Sequence, residues 1–407
     1  MRKASIVKVL QIFGTRPEAI KMAPVAAALT GTPSVDARIC VTGQHKTMLS
    51  EVMKSFGLKP HYDLDVMQPN QTLNDVFVRI VDRLDPILAD FRPDIVLVQG
   101  DTTTSWAAAM AAFYRSVPVG HVEAGLRTGN LYSPWPEEAN RRMTSVIATR
   151  HYAPTADARD ALLKEGHPES SIVVTGNTVI DALRMTHAEV TRRNGAYARE
   201  LAERFSWLNG NRRLVLVTGH RRESFGDGFE RICKAIARIA EREDVQVCYP
   251  VHLNPNVQKP VYENLGGLDN VVLVEPLDYK AFVYLMGRAH LILTDSGGIQ
   301  EEAPSLNKPV LIMRDTSERM EGVHAGVARL VTTDPESIVN NVFELLDNPD
   351  SYHAMASGKN PYGDGRACER IVKDLLSWHQ ANSRRPSSVS AMSVSRPQPS
   401  LPLAGSA

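Results

Sequence analysis

Short apolar runs alternate with longer amphipathic segments along most of the chain. The first set of runs, rich in valine, isoleucine and leucine, lies at residues 7–13, 37–41, 94–98 and 117–122. A second set follows at residues 213–219, 245–251, 270–276, 290–294 and 309–313. Buried strands that alternate with amphipathic helices are typical of parallel sheets covered by helices. The pattern therefore predicts an α/β protein with two parallel sheets.

A charged, mostly helical region at residues 178–206 separates the two sets of strands, and we place the domain junction at its start. Residues 1–178 then form an amino-terminal domain and residues 179–363 a carboxyl-terminal domain. A chain of 407 residues, 43% of them hydrophobic, can bury two cores of this size. The Ser- and Pro-rich segment 382–407 is predicted to be a disordered tail.

The charge balance limits the partners. Forty-six basic and forty-six acidic residues give a formal net charge of zero, so neither nucleic acid nor a membrane is an expected partner.

No apolar stretch approaches the roughly 20 residues that cross a bilayer. The amino terminus has no small-residue cleavage site and predicts a first strand rather than a signal peptide. The four cysteines lack metal-ligand or redox spacing, so we expect a cytoplasmic protein without a metal site.

The segment LILTDSGGIQEE, residues 291–302, joins an apolar strand to a Ser-Gly-Gly turn and an acidic helix. Ser296, Gly297 and Gly298 allow backbone N–H groups to approach an anion where the helix begins. Glu302 follows one turn later, where a carboxylate can accept hydrogen bonds from ribose hydroxyls. The segment therefore predicts a nucleotide site. The alternative is that its acids only complement the helix dipole.

The segment FGTRPEAIK, residues 13–21, has the same position after the first predicted strand. Arg16 lies beside a helix amino terminus and Lys21 lies about one turn further on, so both are candidates to bind a diphosphate. Alternatively, both cations pair with Glu18 on a solvated helix.

Three acids follow other predicted strands or loops of the first half, namely Asp101, Glu123 and Glu137. In a dry cleft they would raise one another's pKa and serve as general acid and base. Asp101 alone is also a plausible helix cap. Arg141, one turn after Glu137, is a candidate to hold that carboxylate or a phosphate, although a plain helix ion pair has the same spacing.

The second half adds His220, which follows a strand and precedes Arg221 and Arg222. This cluster favours a phosphate ligand over an ordinary loop histidine. Phe282 has the right shape to stack on a base, but its helical spacing also fits a core residue. Arg319 lies in RDTSERMEG, which we interpret as a mobile loop, and is a further candidate beside the nucleotide.

Several long motifs make the chain similar to the non-hydrolysing UDP-N-acetylglucosamine 2-epimerases of bacteria. They include FGTRPEAIK, VQGDTTTSWAAA, GHVEAGLRTGNLYSPWPEEANR, GHRRESFG and TDSGGIQEEAPSLNKPV, and the similarity extends from Val7 to about residue 376. The resemblance implies two Rossmann-like domains that face each other across a cleft, in a GT-B-like arrangement. It also implies a homodimer, a UDP-sugar held mainly by the second domain, and a final helix at residues 364–381 that packs back on the first domain.

The resemblance also implies roles for individual residues. Positions treated as catalytic in the family are occupied here by Lys21, Asp101, Glu123, Glu137 and His220. Nucleotide-binding positions are occupied by Arg16, Phe282, Ser296, Gly297, Gly298, Glu302 and Arg319. Thr47 and Asn70 depart from the Gln and Arg that some relatives use to bind a second UDP-sugar, which puts activation by substrate in doubt. Met320 occupies a position at which the family usually has a proline.

The residues themselves favour the same chemistry. The hydrogen on carbon 2 of a pyranose is not adjacent to a carbonyl, so an enzyme must either oxidise the sugar or expel the nucleotide. FGTRPEA lacks the G-x-G-x-x-G turn of nicotinamide enzymes, so no cofactor is expected. A diphosphate cradle with acid and base carboxylates suits elimination to 2-acetamidoglucal and re-addition, with Asp101 as the base. The alternatives are a GT-B glycosyltransferase and a noncatalytic UDP-sugar sensor.

Overall fold

The computed structural model describes residues 6–43, 46–208 and 210–382, without the side chains of residues 46–48. Within this range the chain forms two parallel β-sheets. The first sheet contains β1 (Val7–Phe13), β2 (Val35–Val41), β3 (Tyr62–Asp63), β4 (Ile95–Gln99), β5 (Val119–Val122), β6 (Arg150–Ala153) and β7 (Ile172–Val174). The second contains β8 (Arg213–Thr218), β9 (Val245–Pro250), β10 (Val271–Val274), β11 (Leu291–Thr294), β12 (Val310–Ile312) and β13 (Ala328–Leu330).

Helices connect these strands. Those of the first half are α1 (Arg16–Thr30), α2 (Lys46–Ser55), α3 (Leu73–Phe91), α4 (Thr103–Tyr114), α5 (Glu137–Ile147) and α6 (Ala156–Lys164). Those that follow are α7 (Thr178–Val190), α8 (Ala196–Arg204), α9 (Asp227–Ile239), α10 (Pro255–Leu265), α11 (Tyr279–Arg288), α12 (Gly297–Glu302), α13 (Met320–His324), α14 (Pro335–Asp347), α15 (Pro349–Ala356) and α16 (Ala367–Asn382). Among the described helices none is long and apolar enough to span a bilayer.

The two sheets share one strand order. The first runs β3-β2-β1-β4-β5-β6-β7 and the second runs β10-β9-β8-β11-β12-β13. Both are therefore the 3-2-1-4-5-6 order of a Rossmann sheet, with one extra strand on the first. In each sheet the order in which strands are added reverses between the first and the fourth strand, and a crevice opens there at the carboxyl ends of the strands. The predicted fold class is confirmed.

Each sheet is buried on both faces, as a parallel sheet requires. In the first sheet, Val9 and Phe13 pack with α1, whereas Leu10 and Ile12 pack with α3 and α4. The facing side of α4 is a series of alanines, Ala107, Ala108, Ala109, Ala111 and Ala112, which are buried and bring the helix close to the strands. This rigid layer fixes the loops at the strand ends.

The final helix, α16, packs on the first half of the molecule. Ile371 and Leu375 are buried in the same core as β1 and α1. The carboxylate of Asp181 in α7 accepts hydrogen bonds from the backbone N–H groups of Ala367 (3.1 Å) and Cys368 (2.9 Å), so it caps α16. These contacts agree with the expected position of this helix, while the exact domain bounds stay a prediction.

Four strands were not indicated by the apolar pattern, namely β3, β6, β7 and β13. They are short, and β6 contains Arg150 and His151. Arg150 is tolerated because it forms an ion pair of 2.5 Å with Asp374 of α16. The segment 314–322, expected to be a loop, is helical from Met320 onwards. The predicted tail falls outside the described residues, except for Asn382, which ends α16.

Candidate active site

The loops that follow β1 and β4 in the first half, and β8 and β11 in the second, border one cleft. Two adjoining cavities occupy it, of about 510 Å³ and about 550 Å³, and Arg319 lines both. The first cavity is lined by Asp101, Glu137, Arg141 and Arg319, among others. The second is lined by Arg16, Lys21, His220, Phe282, Ser296, Gly298, Glu302 and Arg319, among others. Glu123 and Gly297 contact residues that line these cavities, so the structure brings every predicted site residue together.

The turn after β1 is organised by Glu18. Its carboxylate accepts hydrogen bonds from the backbone N–H groups of Gly14 (3.0 Å) and Thr15 (2.7 Å) and from the hydroxyl of Thr102 (2.6 Å). Thr15 caps α1 in return, which completes a capping box. Burial raises the pKa of Glu18, and these hydrogen bonds oppose the rise. The alternative in which Glu18 pairs with Arg16 and Lys21 is therefore wrong.

Gly14 is required at this turn for steric reasons. A β-carbon at this position would lie 1.8 Å from the hydroxyl oxygen of Thr42 and 2.8 Å from that of Thr104. Any side chain would push the turn away from the adjacent strand ends. The glycine thus lets the backbone before Arg16 approach the loop of Asp101.

Lys21 and Glu123 form one of the ion pairs in the cleft. The Lys21 ammonium lies 2.5 Å from the Glu123 carboxylate, and their side chains are only 15% and 7% exposed. Burial opposes the charge on Lys21, but the carboxylates of Glu123 and Glu301 outweigh it and raise the pKa of Lys21. Glu123 has a φ of 63°, a left-handed conformation that is costly for a residue other than glycine and common at functional sites.

Asp101 and Arg141 form another pair, 2.8 Å apart. Burial raises the pKa of Asp101, Arg141 opposes this, and Glu123 and Glu137 reinforce it. The expected increase in pKa caused by neighbouring acids is therefore present at Asp101. Two other interpretations are wrong. Thr102, rather than Asp101, caps α4, and Arg141 pairs with Asp101 instead of Glu137.

Across the cleft, the loop of His220 is anchored by Asp295. The buried Asp295 carboxylate accepts hydrogen bonds from the backbone N–H groups of His220 (2.7 Å) and Arg221 (2.8 Å). Its other oxygen lies 3.5 Å from Nδ1 of His220. The imidazole also stacks on His252. Burial lowers the pKa of His220, Asp295 opposes this shift, and His252 and Arg221 add to it.

The Ser-Gly-Gly turn starts α12, with Ser296 as the residue that caps the helix. The side chain of Ser296 makes no cap hydrogen bond, and the residue lines the cavity. Gly297 lies against Arg319: a β-carbon at position 297 would be 3.3 Å from the guanidinium carbon of Arg319. Arg319 is held by Glu301 at 3.0 Å, and Glu301 also accepts a hydrogen bond from Asn177 (3.1 Å).

Glu302 is buried at the end of α12 and accepts a hydrogen bond of 2.6 Å from the hydroxyl of Tyr279. Burial raises the pKa of Glu302 to about 7, although the Tyr279 hydrogen bond opposes the shift. Phe282 is half-buried, packs on the core of the second half and also lines the cavity, whereas its stacking on a base stays a prediction.

Sequence reasoning missed the residues that hold the site residues in place. The main ones are Glu18, Asn177, Tyr279, Asp295 and Glu301. Asp295 was detectable, because it is an acid at the carboxyl end of a strand, directly before Ser296. Asn177 and Tyr279 gave no signal, since their partners lie far away in sequence. In the described chain no three His, Cys, Asp or Glu side chains are grouped to hold a metal ion. The side chain of Thr47 lies outside the described set.

Two Rossmann-like halves with one shared cleft define the GT-B-like class of folds. The family described as UDP-N-acetylglucosamine 2-epimerase matches residues 27–376. The chain is 57% identical over 372 residues to the UDP-N-acetylglucosamine 2-epimerase of Salmonella typhimurium, covering 91% of this chain and 99% of that protein. It is 56% identical over 369 residues to the enzyme of that name from Escherichia coli strain K12, covering 90% and 98%.

A solved structure gives the same result. The crystal structure of UDP-GlcNAc 2-epimerase from Neisseria meningitidis bound to UDP-GlcNAc is similar with a TM-score of 0.84 and 48% identity, covering 91% of this chain and 100% of that one. The chain belongs to the UDP-N-acetylglucosamine 2-epimerase family. The predicted family and enzyme class, an epimerase, are confirmed.

Proposed function

We propose that this protein interconverts UDP-N-acetylglucosamine and UDP-N-acetylmannosamine, by elimination of UDP to 2-acetamidoglucal and re-addition. The observation that carries the proposal is the cleft itself. Two carboxylates paired to buried cations, Glu123 and Asp101, stand opposite the Ser296 turn and His220. The relatives named as epimerases of this sugar nucleotide, and the Neisseria structure with UDP-GlcNAc bound, support the substrate.

In this proposal the second half of the molecule binds the nucleotide. The ribose hydroxyls donate to Glu302, and the base lies against Phe282. The diphosphate meets the backbone N–H groups at residues 296–298 with the cations of Arg16 and Arg319. These groups stabilise the negative charge that builds up on UDP as it leaves.

The sugar would then lie toward the acids of the first half. One carboxylate, which we assign to Asp101, takes the proton from carbon 2 while the bond between carbon 1 and the UDP oxygen breaks. The electron pair of the C–H bond forms the double bond of the glycal, and UDP keeps the electrons of the broken bond. UDP then adds back to carbon 1, and a proton delivered from the opposite face by Glu123 or Glu137 gives the other epimer.

Incubation with UDP-N-acetylglucosamine in heavy water, without acceptor or nicotinamide, tests the reaction by proton NMR. We expect the manno epimer to appear with deuterium at carbon 2. Free sugar without the epimer would indicate hydrolysis, and a requirement for an acceptor would indicate a glycosyltransferase; either outcome contradicts the proposal.

The Asp101→Asn variant tests the assigned base. We expect the loss of deuterium exchange with nearly unchanged UDP affinity. Asp160→Asn, which alters an exposed carboxylate on α6, is the control and should keep full exchange. If Asp101→Asn loses UDP binding instead, the assignment of Asp101 as the base is wrong.

We also propose a homodimer, formed through α3, α4 and α5. These helices pack side by side and expose large apolar side chains, Val78 (63%), Phe113 (51%), Tyr114 (73%) and Val146 (76%). Exposed apolar patches of this kind mark interaction surfaces. Analytical ultracentrifugation should give a dimer for the wild type and a monomer for Tyr114→Glu, whereas Tyr262→Glu on α10 should remain dimeric. A cytoplasmic location remains a prediction.

A further inference from the structure

A second polar cavity lies at the opposite end of the second sheet. Its volume is about 380 Å³. It is bordered by the amino ends of β8, β11 and β12, because Arg212 and Arg213, His290 and Lys308 occupy these positions, and by Arg288 at the end of α11. The candidate active site lies at the carboxyl ends of β8 and β11. Since β8 has six residues, the two sites are separated by about 20 Å of strand.

The lining of this cavity, which we call the basic basin, carries four cations and no carboxylate. Its members are Leu208, Gly210, Arg212, Arg213, Leu214, Gln246, Arg288, Ala289, His290, Lys308 and Tyr352. Only Arg213 is neutralised, through an ion pair with Asp244. Within the described residues, Arg212, Arg288 and Lys308 form no ion pair. The basin therefore concentrates positive charge that no acidic side chain at its wall balances.

Several other arginines of the second half are paired with acids, as in Arg238 with Glu336, Arg242 with Asp347, Arg314 with Glu318 and Arg329 with Glu344. The chain as a whole has a formal net charge of zero, so acids are plentiful. Ordinary surface cations are solvated and need no partner. Arg288 is exposed in this way, but Arg212 and Lys308 are half-buried, and all three cations line the same cavity.

Burial makes the charge of Lys308 costly. Lys308 is half-buried, and burial lowers its pKa without a carboxylate to oppose the shift. Burial and the positive charges of Arg213 and Lys308 lower the pKa of His290. The imidazole stacks on Tyr352 at 4.2 Å between ring centres, which fixes this wall of the basin. A cavity of this kind is stabilised by an anion that enters it.

We propose that the basic basin binds a small multivalent phosphate anion, of the diphosphate class, at a site separate from the catalytic cleft. A diphosphate carries enough oxygen acceptors to meet several of the cations at once, whereas orthophosphate meets fewer. The planar guanidinium groups of Arg212 and Arg288 suit bidentate contacts with phosphate, and Lys308 supplies a point charge deeper in the cavity.

Isothermal titration calorimetry tests the proposal with inorganic pyrophosphate as the probe. The full chain is first loaded with one molar equivalent of UDP, so that the candidate active site is occupied. We expect one further equivalent of pyrophosphate to bind, more tightly than orthophosphate. Absence of this second binding event, or equal affinity for orthophosphate, overturns the proposal.

The double variant Arg288→Gln/Lys308→Gln locates the bound anion. Because a hydrogen bond to a charged group is worth about 1.5 kcal/mol or more, we expect pyrophosphate affinity to fall at least about tenfold, with UDP affinity unchanged. Lys234→Gln removes an exposed cation from α9 and should bind pyrophosphate like the wild type. Unchanged pyrophosphate affinity in the double variant, or a parallel loss of UDP affinity, contradicts a separate site. If circular dichroism shows that the double variant is misfolded, Arg212→Gln provides the same test.

Discussion

The two halves of the molecule share a strand order but differ in the chemistry at their strand ends. In the first half, two of the three acids of the cleft are paired with cations, Glu123 with Lys21 and Asp101 with Arg141. In the second half, Asp295 and Glu302 bond to backbone N–H groups or to a hydroxyl, although Glu301 is paired with Arg319 and Glu18 of the first half also holds backbone N–H groups. The charges of Glu123 and Asp101 are thus balanced by side-chain cations, and those of Asp295 and Glu302 by backbone or hydroxyl dipoles.

This difference explains how one fold supports two tasks. A carboxylate paired with a side-chain cation has a proton affinity that depends on that cation, which suits proton transfer. A carboxylate that holds backbone N–H groups fixes the shape of a loop, which suits binding. We therefore expect changes in the first half to reduce turnover and changes in the second half to reduce nucleotide affinity.

The largest effect is expected for Glu123→Gln. The variant removes the charge that pairs with Lys21 and one of the three acids, so kcat should fall by about 10²- to 10⁴-fold. UDP affinity should change little, because Glu123 is assigned to the sugar and not to the nucleotide. Steady-state kinetics and calorimetry with UDP measure both quantities. Glu369→Gln, on the exposed surface of α16, is the control; a larger loss of UDP affinity than of turnover would break the comparison.

Asp295→Asn should have the next largest effect. The amide replaces an acceptor that receives two backbone N–H groups, so the loop of His220 and Arg221 loses its anchor. We expect UDP to bind about tenfold more weakly or worse. Calorimetry with UDP measures this change, and Asp269→Asn, an exposed carboxylate of the same half, should match the wild type. Normal UDP affinity in Asp295→Asn would show that the anchored loop does not contribute to nucleotide binding.

Glu302→Gln tests the proposed ribose contact through the pH dependence of UDP affinity. Because burial raises the pKa of Glu302 to about 7, this group is largely protonated at pH 6 and ionised at pH 8. The ionised form is the better acceptor for ribose hydroxyls, so UDP affinity of the wild type should rise between these values. The variant should lack this part of the rise and bind several-fold more weakly at pH 8, an effect of about 1 kcal/mol. An identical pH profile in both proteins would rule out the ribose contact.

The same pKa affects stability. The pKa of Glu302 in the folded protein lies above the usual 4.5, so its ionisation costs the folded state free energy. The free energy of unfolding therefore falls as the pH rises from about 4.5 to about 7. At its upper limit this loss is about 3 kcal/mol. Urea unfolding at both pH values should show a smaller loss for Glu302→Gln than for the wild type. Equal losses would mean that Glu302 ionises freely in the folded protein.

The smallest effect is expected for Tyr279→Phe. The hydroxyl donates to Glu302 at 2.6 Å and lowers its pKa, so its removal should raise the pKa further. The rise in UDP affinity should then shift to higher pH, with a change of a few-fold at pH 8. Tyr262→Phe, which alters an exposed tyrosine of α10, should leave the profile unchanged. A shift to lower pH would contradict the role of the hydroxyl.

Most of the architecture was predictable because short, uninterrupted apolar runs indicate buried strands. The nine runs of the sequence pattern all correspond to strands, from β1 to β12. The missing strands depend on neighbours, as β6 shows, since its Arg150 is buried only because Asp374 of α16 reaches it. A polar residue in a strand carries no local sign that a partner will come from a distant helix.

The candidate site shows the same division. Residue types and their spacing indicate which side chains gather at the strand ends, because parallel strands bring their carboxyl ends to one edge and turns such as Ser-Gly-Gly require special backbone positions. Which charges pair depends on the folded arrangement. Arg141 had Glu137 within one helical turn, yet it bonds to Asp101, and Glu18 turned inward to hold the Gly14 turn. Partner choice and burial depend on distances between elements that are far apart in the chain, and these distances also set the pKa of Asp101 and Glu302.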